Sequence, residues 1–104
     1  METILSIAHW SKNQFKCSEK EQREKVREEL EEYLEEFSPE ELADLIISSI
    51  GLLRFHFKYK LLVRLAFRLG CRRFEKSCIL NAVNLKMEIN RLRTWNGNKH
   101  IEKQ

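Results

Sequence analysis

Glycine and proline are scarce in this 104-residue sequence, and their scarcity argues against a fold built from strands. The chain holds three glycines and one proline. Sandwiches and barrels need turn residues at each strand connection, whereas helices tolerate few of either residue in their interiors. We therefore expect an all-α protein.

Long apolar runs are also missing. The most apolar run, Leu45 to Leu53, is nine residues long, and a membrane-spanning helix needs about 20. No basic and apolar leader opens the sequence, and three widely spaced cysteines do not form a secreted disulfide framework. We expect a cytoplasmic protein without a membrane span.

Motifs for catalysis or ligand binding are absent as well. The sequence has one aspartate, Asp44, and no glycine-rich phosphate loop, nucleophile elbow or paired metal-binding histidines. Cys71 and Cys78 would lie about 10 Å apart on a helix, too far to share one ion. We expect a non-enzymatic protein without cofactor or metal, with these cysteines buried as small apolar residues and its glutamates mostly solvated.

Charge divides the chain into two halves of opposite sign. Residues 1–50 hold six Lys/Arg and thirteen Asp/Glu, net −7, whereas residues 51–104 hold thirteen and three, net +10. Opposite poles on one body would steer the protein towards a charged partner.

Two helix starts are marked by capping residues. Ser18 followed by Glu21 has the spacing of a capping box, and Ser38-Pro39 followed by Glu41 combines an N-cap, a proline at the first helical position and the same acidic spacing. The helix after Ser18 carries one narrow apolar stripe. The helix after Ser38 is apolar on more than one face, so it should be central.

The segment 53–61 is ambiguous because polar and apolar residues alternate in it. With no second strand to pair with, we favour a helix over 53–69 ending at Gly70 as its C-cap, and keep a strand at 53–61 as the alternative. A last helix is expected over 72–95. Its seam has the spacing of a bundle or coiled coil and comprises Cys71, Cys78, Ala82, Leu85, Ile89 and Leu92. Because the opposite side is apolar too, the helix would be sandwiched in the core or shared with a second chain.

These elements predict one domain, residues 1–104, folded as a three-to-four-helix bundle. Residues 1–17 would be an arm or a short helix, and residues 97–104 a flexible tail. Leu80 and Met87 lie opposite the predicted seam of the last helix, which makes them candidates for a homodimer contact.

A helix over 54–72 would align a basic ridge, the candidate partner-binding surface. Its members lie within about 120°, with Arg73 beside them: Arg54, Lys58, Arg64, Arg68 and Arg72. We expect a small regulatory or adaptor protein that binds a protein partner. The alternative is nucleic-acid binding by residues 54–73, with a faint helix-turn-helix-like spacing of Ala66 and Gly70. A basic aromatic helix on a membrane surface is a third interpretation.

Overall fold

The computed structural model describes residues 1–101, with side chains as far as residue 99. The α-helices of this part of the chain are α1 (Ile4–Gln14), α2 (Glu19–Glu35), α3 (Pro39–Gly51), α4 (Lys60–Cys71) and α5 (Lys76–Leu92). Two short 3₁₀ turns, Leu52–Arg54 and Phe57–Tyr59, join α3 to α4. The all-α prediction is confirmed, with five α-helices among residues 1–101 in place of three or four, and residues 1–17 form a short helix.

Both predicted helix starts are present. The Ser18 hydroxyl accepts a hydrogen bond from the Glu21 N–H, and the Glu21 carboxylate accepts one from the Ser18 N–H, both at 3.1 Å. The Ser38 hydroxyl accepts from the Glu41 N–H at 3.2 Å, and Pro39 occupies the first turn. Local sequence therefore determines where α2 and α3 begin.

Helix α3 lies at the centre of the fold, as its apolar faces predict. Every residue from Leu45 to Ile50 is buried, and α1, α2, α4 and α5 all pack against it. Because four helices pack around α3, the grooves on the surface of the protein lie between those neighbouring helices.

The segment 53–61 is neither a continuous helix nor a strand, so both of our interpretations were wrong. Its two 3₁₀ turns are separated at His56, whose backbone is extended (φ −163°, ψ 140°). The cause lies outside the segment. The Arg54 guanidinium donates to the carbonyls of Ser11, Phe15 and Cys17, and this tie to the end of α1 fixes the chain before α4 begins.

Gly70 lies inside α4 and is not its C-cap. A Cβ at this position would be 2.2 Å from the Leu42 Cδ2 atom. Glycine is therefore needed for the close approach of α4 to α3. In the sequence alone, a glycine required for packing cannot be told from a glycine that ends a helix.

Helix α5 packs on α3 through the side opposite the predicted seam. Ile79, Val83 and Met87 are buried, whereas Leu85 and Leu92 of the predicted seam are exposed. Both faces are apolar, so periodicity alone could not rank them. Met87 is completely buried in its own chain and is unavailable for a dimer contact; Leu80 is exposed.

The segment predicted to be a flexible tail forms a hairpin as far as the structure describes it. Strand β1 (Thr94–Asn96) pairs antiparallel with β2 (Lys99–Ile101) around Gly97, which has φ 63°. Asn98 is buried and donates to the Glu21 carbonyl at 3.2 Å, which ties the hairpin to α2. Residues 102–104 of the predicted tail lie outside the described residues. No helix in residues 1–101 is both long and apolar enough to cross a membrane.

Candidate protein-binding groove

An apolar groove, the α2–α4 groove, lies between α2 and α4 with α3 as its floor. Val26 and Leu30 line the α2 side, Leu45 and Ser49 come from α3, and the α4 side is formed by Leu62, Leu65, Ala66, Arg68, Leu69 and Arg72. The groove has a volume of about 480 Å³. It exists because α2 and α4 each pack on α3 and leave a gap between them.

Two arginines form the basic rim of this groove, Arg68 and Arg72. Arg64 and Arg68 lie on α4, and Arg72 follows as its C-cap with helical backbone. The spacing of four residues places the three side chains within a sector of about 80°. All three are exposed, and none of them forms a salt bridge within residues 1–99. These three members of the predicted ridge are brought together on one face of α4.

The N-terminal end of α4 is joined to α2 by polar contacts. Tyr59, just before α4, donates a hydrogen bond to the Glu19 carboxylate. This bond is the first cause of a raised pKa at the Tyr59 hydroxyl, which Arg23 opposes from α2.

The other residues of the predicted ridge lie elsewhere. Arg54 is half-buried and holds the end of α1, with a further contact of 2.8 Å to the Cys17 Sγ. Arg73 stacks on the Phe37 ring at 3.6 Å, and Lys58 lies 5.3 Å from the centre of the Tyr59 ring. Arg54 is therefore engaged with carbonyls of its own chain and lies apart from the α4 arginines with which it was predicted to form a ridge. The reason is that the chain turns after residue 54 and does not continue as one helix.

A polar cavity, the α2–α5 cavity, lies on the other side of α2 and has a volume of about 250 Å³. Lys25 and Glu29 pair across one turn of α2 at 3.0 Å, and Lys86 of α5 pairs with Asp44 of α3 at 3.4 Å. The amide of Gln22, completely buried, donates to the Ser48 carbonyl. The chain's own groups therefore supply most of the partners for the polar groups of this cavity.

Three carboxylates meet beside the cavity, where the sequence predicted solvated glutamates. Oxygens of Glu29, Glu41 and Asp44 lie within 4.8 Å of one another. Burial raises the pKa of Glu29 to about 7, a rise that Lys25 opposes and the charge of Asp44 supports. Burial also raises the pKa of Glu41, helped by Asp44, and that of Asp44, where Lys86 opposes it.

Oxygen donors arranged in this way suit a hard divalent cation, but the raised pKa values mean that a proton competes for the same oxygens. We assign no ion to them. A sequence signal did exist, because Asp44 follows Glu41 by three residues and so shares its helix face. Cys71 and Cys78 are exposed, and the prediction that they are buried was wrong.

No protein-family model, curated protein or solved structure matches the chain.

Proposed function

We propose that this protein is a non-enzymatic adaptor or regulator that binds a protein partner, and that the α2–α4 groove receives an amphipathic helix bearing acidic residues. The observation that carries the proposal is the combination of an apolar groove of about 480 Å³ with two arginines on its edge that form no salt bridge within residues 1–99. Helix-in-groove recognition uses apolar anchors about one turn apart, seated between the helices of the receiving protein.

The groove lining supports an apolar ligand face. Leu65, on the α4 side, is 52% exposed, and Leu30 and Leu69 are half-buried beside it. Covering such side chains stabilises a complex by about 25 cal/mol for each Å² of apolar surface removed from water. A helix with leucine or phenylalanine at i, i+3 or i+4, and i+7 would supply that cover.

The basic rim supports carboxylates on the flank of that ligand. Arg68 and Arg72 have no acidic partner within residues 1–99, and the guanidinium group can bind a carboxylate through two parallel hydrogen bonds. Because such pairs would be exposed at the edge, they would select the ligand and its orientation more than they would strengthen binding.

Nucleic acid is the second candidate, since Arg64, Arg68 and Arg72 would face phosphates equally well. The exposed surface of α2 weighs against it. Six glutamates of α2 are exposed, and the repulsion of phosphates by this helix beside the groove would limit a nucleic-acid footprint. We place the interaction in the cytoplasm, where three free cysteines remain reduced.

The proposal is tested by selecting binders from a displayed library of helices with randomised surface positions. We expect the selected helices to carry an apolar stripe flanked by Asp or Glu. Leu65→Glu should abolish their binding, because a carboxylate would enter the groove. Leu61→Glu is the matched control, since Leu61 is equally solvent-facing on α4, 64% exposed, and does not line the groove.

Equal loss of binding in both variants, or selected helices that bind Leu65→Glu normally, would contradict the proposal. Duplex and single-stranded nucleic acids form a separate arm of the experiment at low salt. A shift of either nucleic acid that Arg64→Ala and Arg68→Ala weaken equally would favour the second candidate.

A further inference from the structure

A patch that is both apolar and basic, the α1 patch, lies where α1 meets the turns that precede α4. Its apolar members come from both segments and are Ile4, Leu5, Ala8, Leu53 and Phe57. Ala8 and Leu53 are half-buried against the core and form its floor. Leu5 is 81% exposed and Phe57 is 73% exposed, more than Leu65 in the α2–α4 groove. Leu5 and Phe57 therefore project from the surface, one from each segment.

The charged side chains that line the patch are all basic. Lys12, Arg54 and Lys60 are among its lining residues, and none of the lining residues that the structure describes carries a carboxylate. Neither α1 nor the stretch from residue 52 to residue 71 contains Asp or Glu. Lys12 and Lys60 are exposed and form no salt bridge within residues 1–99. The two lysines are therefore open to an anionic partner.

Helical spacing places the α1 members of the patch on one side of that helix. Ile4, Ala8 and Lys12 follow one another by four residues and so fall within about 80°, and Leu5 lies about 20° beyond Lys12. Ile7 and Trp10, on the neighbouring side, are buried in the core. The core therefore holds α1 while Leu5 and Lys12 point outward.

We propose that the α1 patch binds the surface of an anionic lipid bilayer. Leu5 and Phe57 enter the boundary between headgroups and acyl chains, while Lys12 and Lys60 contact the phosphates and carboxylates of the lipids. Interfacial binding strengthens with the apolar area buried at that boundary and with the attraction of Lys and Arg to anionic lipids. The patch shares no lining residue with the α2–α4 groove, and the inference does not depend on the proposed function.

A bilayer suits this patch better than a second copy of the chain does. The acidic surface of a second copy is α2, where Leu34 is the one large apolar side chain exposed. Such a contact would pair the lysines but leave Leu5 and Phe57 without apolar cover. A bilayer supplies both negative charge and hydrocarbon, and it accepts projecting side chains without a complementary shape. The aliphatic stems of the lysines can follow them while the ammonium groups stay at headgroup level.

The first experiment measures binding to lipid vesicles by co-sedimentation. The native chain should bind vesicles in which about a third of the lipid is phosphatidylserine, less strongly as salt rises, and should bind pure phosphatidylcholine far less. Leu5→Glu and Phe57→Glu should each weaken binding by about tenfold or more, because an inserted apolar group is lost and a negative charge is added. Leu34→Glu is the control, since Leu34 is exposed on α2 and does not line the patch. Circular dichroism verifies that each variant is folded.

The contribution of the lysines is measured with the same vesicles. Replacing both Lys12 and Lys60 by glutamine should weaken binding to the phosphatidylserine vesicles by about twentyfold, from about fivefold for each lysine near an anionic surface. The matched control replaces Lys76 and Lys99, which are exposed, do not line the patch and change the net charge equally. The control should keep most of the binding.

Phe57→Trp reports insertion directly. Lipids brominated on their acyl chains should quench the emission of this variant more than that of the native chain, and Leu34→Trp should gain no such quenching. No binding to the phosphatidylserine vesicles, equal losses in Leu5→Glu and Leu34→Glu, or no added quenching of Phe57→Trp would overturn the proposal. A chain that ignores vesicles but self-associates until Phe57→Glu separates the copies would also overturn it, in favour of a second copy.

Discussion

Helix α2 borders two depressions of opposite character, and their difference separates structural charge from charge available for binding. The α2–α4 groove is lined mostly by leucine and other aliphatic side chains. The α2–α5 cavity, half its size, is lined by ion pairs and amides. Within six consecutive residues of α2, Val26 and Leu30 line the groove while Lys25 and Glu29 line the cavity.

The polar groups of the cavity find most of their partners inside the chain, whereas Arg68 and Arg72 of the groove form no salt bridge within residues 1–99 and Leu65 of its lining is 52% exposed. Buried polar groups that are paired contribute to the fold, and unpaired ones are costly. An exposed apolar lining with exposed cations at its edge is what the proposed binding of an acidic amphipathic helix requires. The count of charges in each half of the sequence does not reveal this distinction.

The largest expected effect separates the structural arginine from those on α4. Arg54→Ala should lower the free energy of unfolding by about 3 kcal/mol, because three carbonyls at the end of α1 lose a charged donor. Arg64→Ala should change it by less than about 0.5 kcal/mol, as expected of an exposed surface residue. Urea unfolding of both variants measures the difference, and equal losses would show that Arg54 is no more structural than its neighbours on α4.

The second prediction concerns the carboxylates beside the cavity. The folded protein raises the pKa of Glu29 from 4.5 to about 7 because burial favours the protonated carboxyl. The contribution of this group to the free energy of unfolding is therefore fully present below pH 4.5, where Glu29 is protonated in both states. That stability is lost as the pH rises to about 7. The raised pKa values of Glu41 and Asp44 act in the same direction. Glu29→Gln should remove a loss on the order of 2–3 kcal/mol over this window.

Urea unfolding at pH 5 and pH 8 measures this dependence, with Glu28→Gln as the control because Glu28 is exposed on the same helix. The control should keep the pH dependence of the native chain. If Glu29→Gln keeps it as well, the carboxylates do not share a proton in the folded state.

The third prediction concerns the contact between Gly70 of α4 and Leu42 of α3, which holds one wall of the groove close to its floor. Gly70→Ala should destabilise the protein by about 2 kcal/mol, because its Cβ would meet the buried Leu42 side chain and push α4 away from α3. Binding of the selected helices should weaken too, since α4 forms one wall of the groove. Cys71→Ala, at the exposed next residue, should alter neither quantity, and a Gly70→Ala chain as stable as this control would contradict the account of α3–α4 packing.

The smallest effect on stability is expected at the basic rim. Replacing both Arg68 and Arg72 by alanine should leave the unfolding free energy within about 0.5 kcal/mol of the native value. The affinity for the selected acidic helices should fall by about five- to tenfold, the sum of two exposed pairs. Isothermal titration measures the affinity. A fall in stability with no change in affinity would mean that these arginines support the fold.

Much of the fold could be predicted where local chemistry decides it. Ser18 and Ser38 mark helix starts because their hydroxyls cap backbone N–H groups within the next turn. The central position of α3 followed from apolar residues on more than one of its faces. These signals need no knowledge of distant parts of the chain.

Predictions failed where a long-range contact decides the outcome. The break after Arg54 depends on carbonyls about 40 residues earlier in the sequence, and Gly70 is required by Leu42 on another helix. Met87 and Leu85 lie on two apolar faces of α5 that only packing could rank. Of the candidate site, Arg68 and Arg72 could be predicted from spacing, whereas the groove could not, because it arises from the gap between two helices.

The most direct test of the distinction between groove and cavity is a methyl NMR titration of the labelled chain with a selected helix. The account predicts shifts at the methyl groups of Leu30 and Leu69, which line the groove, and none at Ile47, which lines the cavity. Shifts at Ile47 without shifts at Leu30 and Leu69 would place the ligand on the other side of α2 and contradict the account.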